Sequence, residues 1–212
     1  MDSELALAVA GIIGALTIGA VSPGPSFILV ARTAIAVSRR DGLAAALGMG
    51  AGGAAFAALA LLGLHAALAQ VPWLYAALKL AGGVYLVHLG FRLWRAAGTP
   101  LAVAAAGARA PGGLGRSFAF GLATQLSNPK TALVYGGIFA ALLPASVPGW
   151  TAAVLLPAVF AVEAGWYAVV AVAFSDSRPR AAYLGAKHWI DRTAGAVMGL
   201  LGVRLIAEGV RP

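Results

Sequence analysis

The residues able to do chemistry sit in two short stretches, Ser22-Pro23-Gly24-Pro25-Ser26 and Gln125-Leu126-Ser127-Asn128-Pro129-Lys130, each set inside an apolar run. Proline has no N–H. On a continuous helix Pro23 therefore strands the carbonyl of Gly19, Pro25 that of Val21 and Pro129 that of Gln125. A lone proline is commonly a tolerated kink, but two sites in one chain ask for a reason. Ser22 before Pro23, and Asn128 before Pro129, read as N-caps followed by proline in the first helical position, so a new half-helix is expected to start at each place. The start of a half-helix presents N–H groups and partial positive charge, which suit a carboxylate. The stranded carbonyls suit an ammonium group. A zwitterion satisfies both.

Lys130 stands in the first turn of its half-helix, where a cation opposes the local dipole, and it needs an anion nearby. That anion is either a bound carboxylate or Glu163, an acid set deep in the run AVFAVEAGWYAVV; a Lys130–Glu163 bridge could also be purely structural. Arg32 either reaches back to the membrane surface or joins Glu163, the first being favoured. His88 lies within GVYLVHLGFRLWR and could relay protons, although a hydrogen bond between helices is the plainer reading. With no cysteine, no HExxH and no paired carboxylates on one face, no metal site and no cofactor are expected. An enzyme would need a nucleophile beside a base, and Ser26 or Ser127 near a histidine is all that the chain offers. The freed carbonyls could also ligate a small cation, making a metal or ion exporter the alternative, but Lys130 would repel one.

These residues need elements to hold them. Of 212 residues 61% are hydrophobic and 10% charged, a balance expected of an all-α polytopic membrane protein. The net charge of +8 is spread between apolar runs without interleaved aromatics, so no nucleic-acid partner is expected. Six segments are long enough for a bilayer core of about 30 Å: near 5–37, 43–67, 71–94, 117–143, 150–174 and 189–209. The beginning of the chain carries Asp2 and Glu4 and no cation, unlike a cleaved signal peptide, so the first segment is expected to be retained. Arg39, Arg40, Arg92, Arg95, Arg109, Arg116, Arg178, Arg180 and Lys187 gather in the first, third and fifth connections, which places those connections in the cytoplasm and both termini outside.

The breaks fall in the first and fourth segments. Since three is odd, the second group of three enters the bilayer from the opposite side, giving two inverted three-helix repeats, about 1–96 and 117–212, around an Ala/Gly/Pro-rich linker at 97–116. Gly24 lies 15 residues from Arg39 and Pro129 lies 13 from Arg116, so both breaks are about 20 Å from the cytoplasmic flank. Paired interruptions at matching depth are what a transporter's substrate site needs, with Gly24 a hinge between the halves. Gly48 with Gly52, and Gly195 with Gly199, have the four-residue spacing that lets helices approach closely. Trp73, Tyr75, Trp94, Trp150 and Trp189 read as interfacial anchors, and His65 and His188 as residues near segment ends.

The motifs PGPSFILVARTAI, SRRDGLAAALGMGAG, GGVYLVHLGFRLWR and FAFGLATQLSNPKTAL, in that order, resemble the LysE/RhtB family of amino-acid exporters along nearly the whole chain. The resemblance implies a small protein of the bacterial inner membrane that exports amino acids or related metabolites, using the proton gradient; the sequence leaves open whether the chain forms a homodimer. Matched by position, Pro23, Gly24 and Pro25 form the family's first motif, Asn128, Pro129 and Lys130 its second, and Arg32 and Gly42 stand where the family places them. An acid often follows the first motif in this family, where this chain has Ser26, and Glu163 resembles the acid common in the fifth span.

Overall fold

The computed structural model describes residues 3–70, 72–101, 113–144 and 147–210. Asp2, Arg109 and most of the linker fall outside the described residues, as do the side chains of Glu4, His65, Trp73 and Tyr75. The described residues form eight helices and no strand: α1 (Ser3–Val21), α2 (Pro25–Ala36), α3 (Arg39–Gln70), α4 (Pro72–Ala96), α5 (Leu114–Leu126), α6 (Pro129–Leu142), α7 (Thr151–Phe174) and α8 (Ser177–Val210). The six apolar segments reappear as helices, two of them divided at the proline motifs. Helices α2, α4 and α6 each begin on a proline, whose missing N–H would be unpaired at a helix start in any case.

By length and hydropathy α3, α7 and α8 can cross a bilayer, and the bent pair α1–α2, with its 57° change of direction, supplies a fourth candidate span. Neither α4 nor the α5–α6 pair qualifies among the described residues. The polar run from Gln125 to Lys130 dilutes the α5–α6 pair, and the side chains at the start of α4 fall outside the described residues. The last segment starts earlier than its hydropathy suggests. Helix α8 has 34 residues, about 51 Å of helix, so roughly 20 Å extends beyond a 30 Å apolar layer.

Glycines set the packing. A Cβ on Gly48 would run into the backbone carbonyl of Phe118, one on Gly52 would lie 2.7 Å from Gln125 Cβ, and one on Gly121 would meet the backbone of Ala45, so α3 and α5 lie backbone to backbone and parallel. Helices α4 and α8 are antiparallel in one register. Gly83 faces Gly202 and Gly90 faces Gly195, while Lys79 Nζ is 3.4 Å from Glu208 at one end and Lys187 Nζ donates to the carbonyl of Ala96 at 3.1 Å at the other. Three of the four glycines picked out by spacing make such contacts through their own Cβ position. Gly199 has open space on its side, although its N lies 2.8 Å from a Cβ on Gly90. Gly42 is wedged against Ala34 and Ala171, joining α2, α3 and α7.

The odd-numbered connections share one end of the molecule. Asp41, in the first turn of α3, accepts from Ser117 Oγ at 2.8 Å and from the Gly113 N–H at 3.0 Å, fastening the start of α3 to the start of α5. Arg39 lines a crevice with Ser175, Asp176 and Pro179 where α7 passes into α8. Trp94, Trp150 and Trp189 are exposed, as anchors at a membrane surface would be.

Candidate functional site

Both breaks open onto one cavity. Its walls include Leu16, Gly19, Ala20, Ser22, Gly24, Ser26, Gln125, Asn128, Lys130, Thr131, Val134, Tyr135, Glu163 and Tyr167, drawn from α1, α2, α5, α6 and α7. About 30 Å³ is free inside, room for one or two waters and too little for an amino acid. This is a closed state.

A chain of side-chain hydrogen bonds joins the two halves across it. Asn128 Nδ2 donates to Ser26 Oγ at 3.0 Å, and Ser26 Oγ donates to Gln125 Oε1 at 2.6 Å. Gln125 Nε2 donates to Glu163 Oε2 at 3.3 Å, and the Tyr135 hydroxyl donates to Glu163 Oε1 at 2.9 Å. Two donors thus hold the Glu163 carboxylate, whose residue is 3% exposed. Gly53 leaves the space for this arrangement, since a Cβ there would stand 2.8 Å from Tyr135 Oη and 2.9 Å from Glu163 Cγ.

The second break is capped as its sequence predicts: Asn128 Oδ1 accepts the Lys130 N–H at 3.0 Å, with Pro129 in the first turn. The first break differs. Helix α2 starts at Pro25 with Gly24 as its N-cap and no side-chain cap, so Ser22 is not the N-cap. Ser22 is freed because both Pro23 and Gly24 stay outside the helix, and its hydroxyl donates to Asp191 Oδ1 on α8 at 3.2 Å. Pro23 is half-buried in the unwound segment, and Pro25 is exposed at the head of α2.

The stranded carbonyls are also met from within the chain. Lys130 Nζ donates to the carbonyls of Gly19 at 3.4 Å and Ser22 at 3.3 Å, Tyr183 Oη donates to Val21 at 3.0 Å, and the Asn128 N–H donates to Gln125 at 3.2 Å. Lys130 thus occupies the position expected for a bound ammonium. No Lys130–Glu163 bridge forms among the described residues, because the carbonyls hold the amine and the Tyr135 and Gln125 donors hold the carboxylate. Arg32 is half-buried and makes no ion pair with Glu163. His88 lies on the exposed side of α4, away from the cavity, and has no hydrogen bond to another helix, contrary to expectation; the face of α4 that meets α8 is taken by Gly83 and Gly90.

Several residues of the site escaped the sequence reading. Tyr167 is four residues beyond Glu163, on the same helix face, and Thr131, Val134 and Tyr135 form one face of α6 at spacings of three and four; that periodicity was the available signal. Asp191, 2% exposed, and Lys187, 7% exposed, are a buried i, i+4 pair at 2.7 Å, legible as K-x-x-x-D in KHWID.

Comparison with known proteins identifies the family. The family model described as LysE type translocator matches residues 17–209, taking in both breaks and all the cavity residues except Leu16. The chain belongs to the LysE translocator family. It is therefore a membrane transporter and not an enzyme. Over 187 residues this LysE-type chain is 36% identical to the threonine efflux protein of Escherichia coli strain K12, covering 87% of this chain and 90% of that one. It is 31% identical to the membrane protein YahN of the same strain, over 93% of this chain and 88% of the relative. A leucine efflux protein of Salmonella choleraesuis is 26% identical over 93% and 91% of the two chains. No solved structure matches.

Proposed function

We propose that this LysE-type chain exports amino acids, or closely related zwitterions, from the cytoplasm across the bacterial inner membrane, with both termini outside. The observation that carries the reading is the single closed cavity onto which both broken helices open, with a cation and an anion in its wall that are not paired with each other. Lys130 uses two of its three protons on carbonyls, and the third serves a substrate carboxylate, helped by the start of α6 at Asn128 and Pro129. Glu163 takes the ammonium, held ready by Gln125 and Tyr135. Ser22, Pro23, Gly24, Pro25 and Ser26 form the moving wall opposite, and Gly24 is its hinge.

In this reading the chain is one membrane domain of six spans, the two repeats being about 1–96 and 117–212 around the 97–116 linker. The packing supports that arrangement: α3 lies on α7, α4 on α8, and α1 meets α6 as α2 meets α5, the pairings an exchange of repeats would generate. Rocking of the halves opens the cavity to one side at a time. The names of the threonine and leucine efflux relatives, and a wall that carries one cation and one anion, favour a neutral amino acid.

Proteoliposomes loaded with labelled threonine, and then with a panel of labelled amino acids, test the proposal. Wild-type protein should release one or more of them. Lys130→Met should still insert, yet bind at least about tenfold more weakly, since a charge-assisted hydrogen bond contributes about 1.5–3 kcal/mol. Normal efflux by that variant would remove Lys130 from the mechanism.

A further inference from the structure

A second pair of opposite charges lies in line with the first. Lys187 Nζ contacts Asp191 Oδ2 at 2.7 Å, and the other oxygen of Asp191 accepts the Ser22 hydroxyl at 3.2 Å. The carbonyl of the same Ser22 accepts from Lys130. Ser22 therefore stands between an outer pair, Lys187 and Asp191, and the cavity pair, Lys130 and Glu163. Lys187 also lines a crevice of about 460 Å³ formed with residues 97–101, Leu184 and His188. A line of polar groups runs from that crevice, through Lys187, Asp191 and Ser22, to the closed cavity.

The position along α8 gives this line a direction. Lys187 meets the last carbonyl of α4, at the end where the Arg-rich connections gather, and Asp191 lies one turn further along α8 toward the cavity. Burying such a pair adds little net stability, because desolvation offsets most of the Coulombic gain. Its partners are telling. The pair holds the C-terminal carbonyl of α4 through Lys187 and the unwound segment of the first broken span through Ser22, and so ties the end of α4 to the edge of the cavity.

We propose that Lys187 and Asp191 form a loading station for zwitterionic amino acids at the cytoplasmic mouth, and that a substrate opens the mouth by replacing their mutual bridge. This rests on the export reading above. The substrate carboxylate pairs with Lys187 and its ammonium with Asp191, which lets go of Ser22. The carboxylate then passes to Lys130 and the ammonium to Glu163. No bond is made or broken. The station needs both charges on one ligand: a simple amine or a simple carboxylate meets only half of it.

The test uses labelled threonine, or the panel member that wild-type protein carries best, in proteoliposomes of sided orientation. Half-saturation is measured separately from the cytoplasmic and outer faces. Asp191→Asn should raise the cytoplasmic half-saturation at least about tenfold and leave the outer value unchanged. Because a lone Lys187 could unsettle the fold, the double variant Lys187→Met with Asp191→Leu replaces the pair by apolar residues of similar volume, a change that buried ion pairs tolerate. It should melt like wild type and show the same one-sided loss. Wild-type half-saturation on both faces in the double variant would make the pair a structural bridge and end the proposal, and an equal loss on both faces would end it too. A wild-type protein that moves no amino acid would overturn the export reading itself, which is a separate outcome.

Discussion

At the residue scale the site turns on where each charge finds its partner. A bridge between Lys130 and Glu163 was one of two readings of the sequence, and instead each is held by neutral groups. Glu163 is the carboxyl of the cavity wall, and it can hold a proton or a substrate ammonium, not both. We propose that this competition couples export to protons. Lowering the pH should raise the half-saturation for substrate in wild-type vesicles, because protonating Glu163 removes the charge that the ammonium needs. Glu163→Gln should weaken binding by about tenfold and flatten that pH profile, as measured by counterflow at a series of pH values. Wild-type affinity with an unchanged profile would exclude Glu163 from coupling. Lys130, Glu163 and both proline motifs were legible because an ionisable group or a proline in hydrocarbon needs explaining by itself. The partners were not. Hydropathy carries no record of which carbonyl a lysine reaches, and Tyr135 and Tyr167 become part of the site only once five helices are brought together.

At the element scale a proline does not suffice to part a helix. Pro157 sits within α7, which runs unbroken from Thr151 to Phe174, whereas the helices part at Gly24 and at Asn128. What differs is the preceding residue: glycine and asparagine serve as N-caps, and Leu156 does not. The sequence reading assigned the first cap to Ser22, because Ser-Pro matches the pattern, and two prolines with a glycine between them moved the helix start on to Pro25. Asn128→Ala should cost about 1 kcal/mol through the lost cap, and more in transport because it also releases Ser26. Thermal unfolding in detergent and threonine efflux, measured side by side, separate the two effects. The glycine seams allow a cleaner comparison. A Cβ on Gly90 would lie 2.5 Å from the carbonyl of Gly195, so Gly90→Ala has to push α4 off α8 at about 1–3 kcal/mol. Gly136, on the open side of α6, meets nothing within 4 Å, and Gly136→Ala should leave the melting temperature unchanged or raise it. Equal melting of the two variants would mean that the seam between α4 and α8 is looser than its geometry.

At the scale of the whole molecule the question is how many times the chain crosses. Among the described residues hydropathy gives three or four candidate spans, while the packing of helices on one another argues for six. Helix α4 is the deciding element. It follows α8 in antiparallel register from Lys79 beside Glu208 to Ala96 beside Lys187, so if α8 crosses, α4 must run the same distance through the same layer, with its cations near the ends. Its 25 residues span about 37 Å, enough for that depth. The natural chain has no cysteine, so an introduced thiol is the sole site for a maleimide that cannot cross membranes. Arg39→Cys, Gly98→Cys and Gly149→Cys place it on exposed positions in the first, third and fourth connections. With six spans Arg39→Cys and Gly98→Cys should label only in inverted vesicles, and Gly149→Cys only in intact spheroplasts. If α4 and the α5–α6 pair did not cross, Gly98→Cys would label together with Gly149→Cys, since α3 alone would then separate position 39 from both. That result would undo the inverted repeat, and with it the matched depth of the two breaks on which the shared site depends.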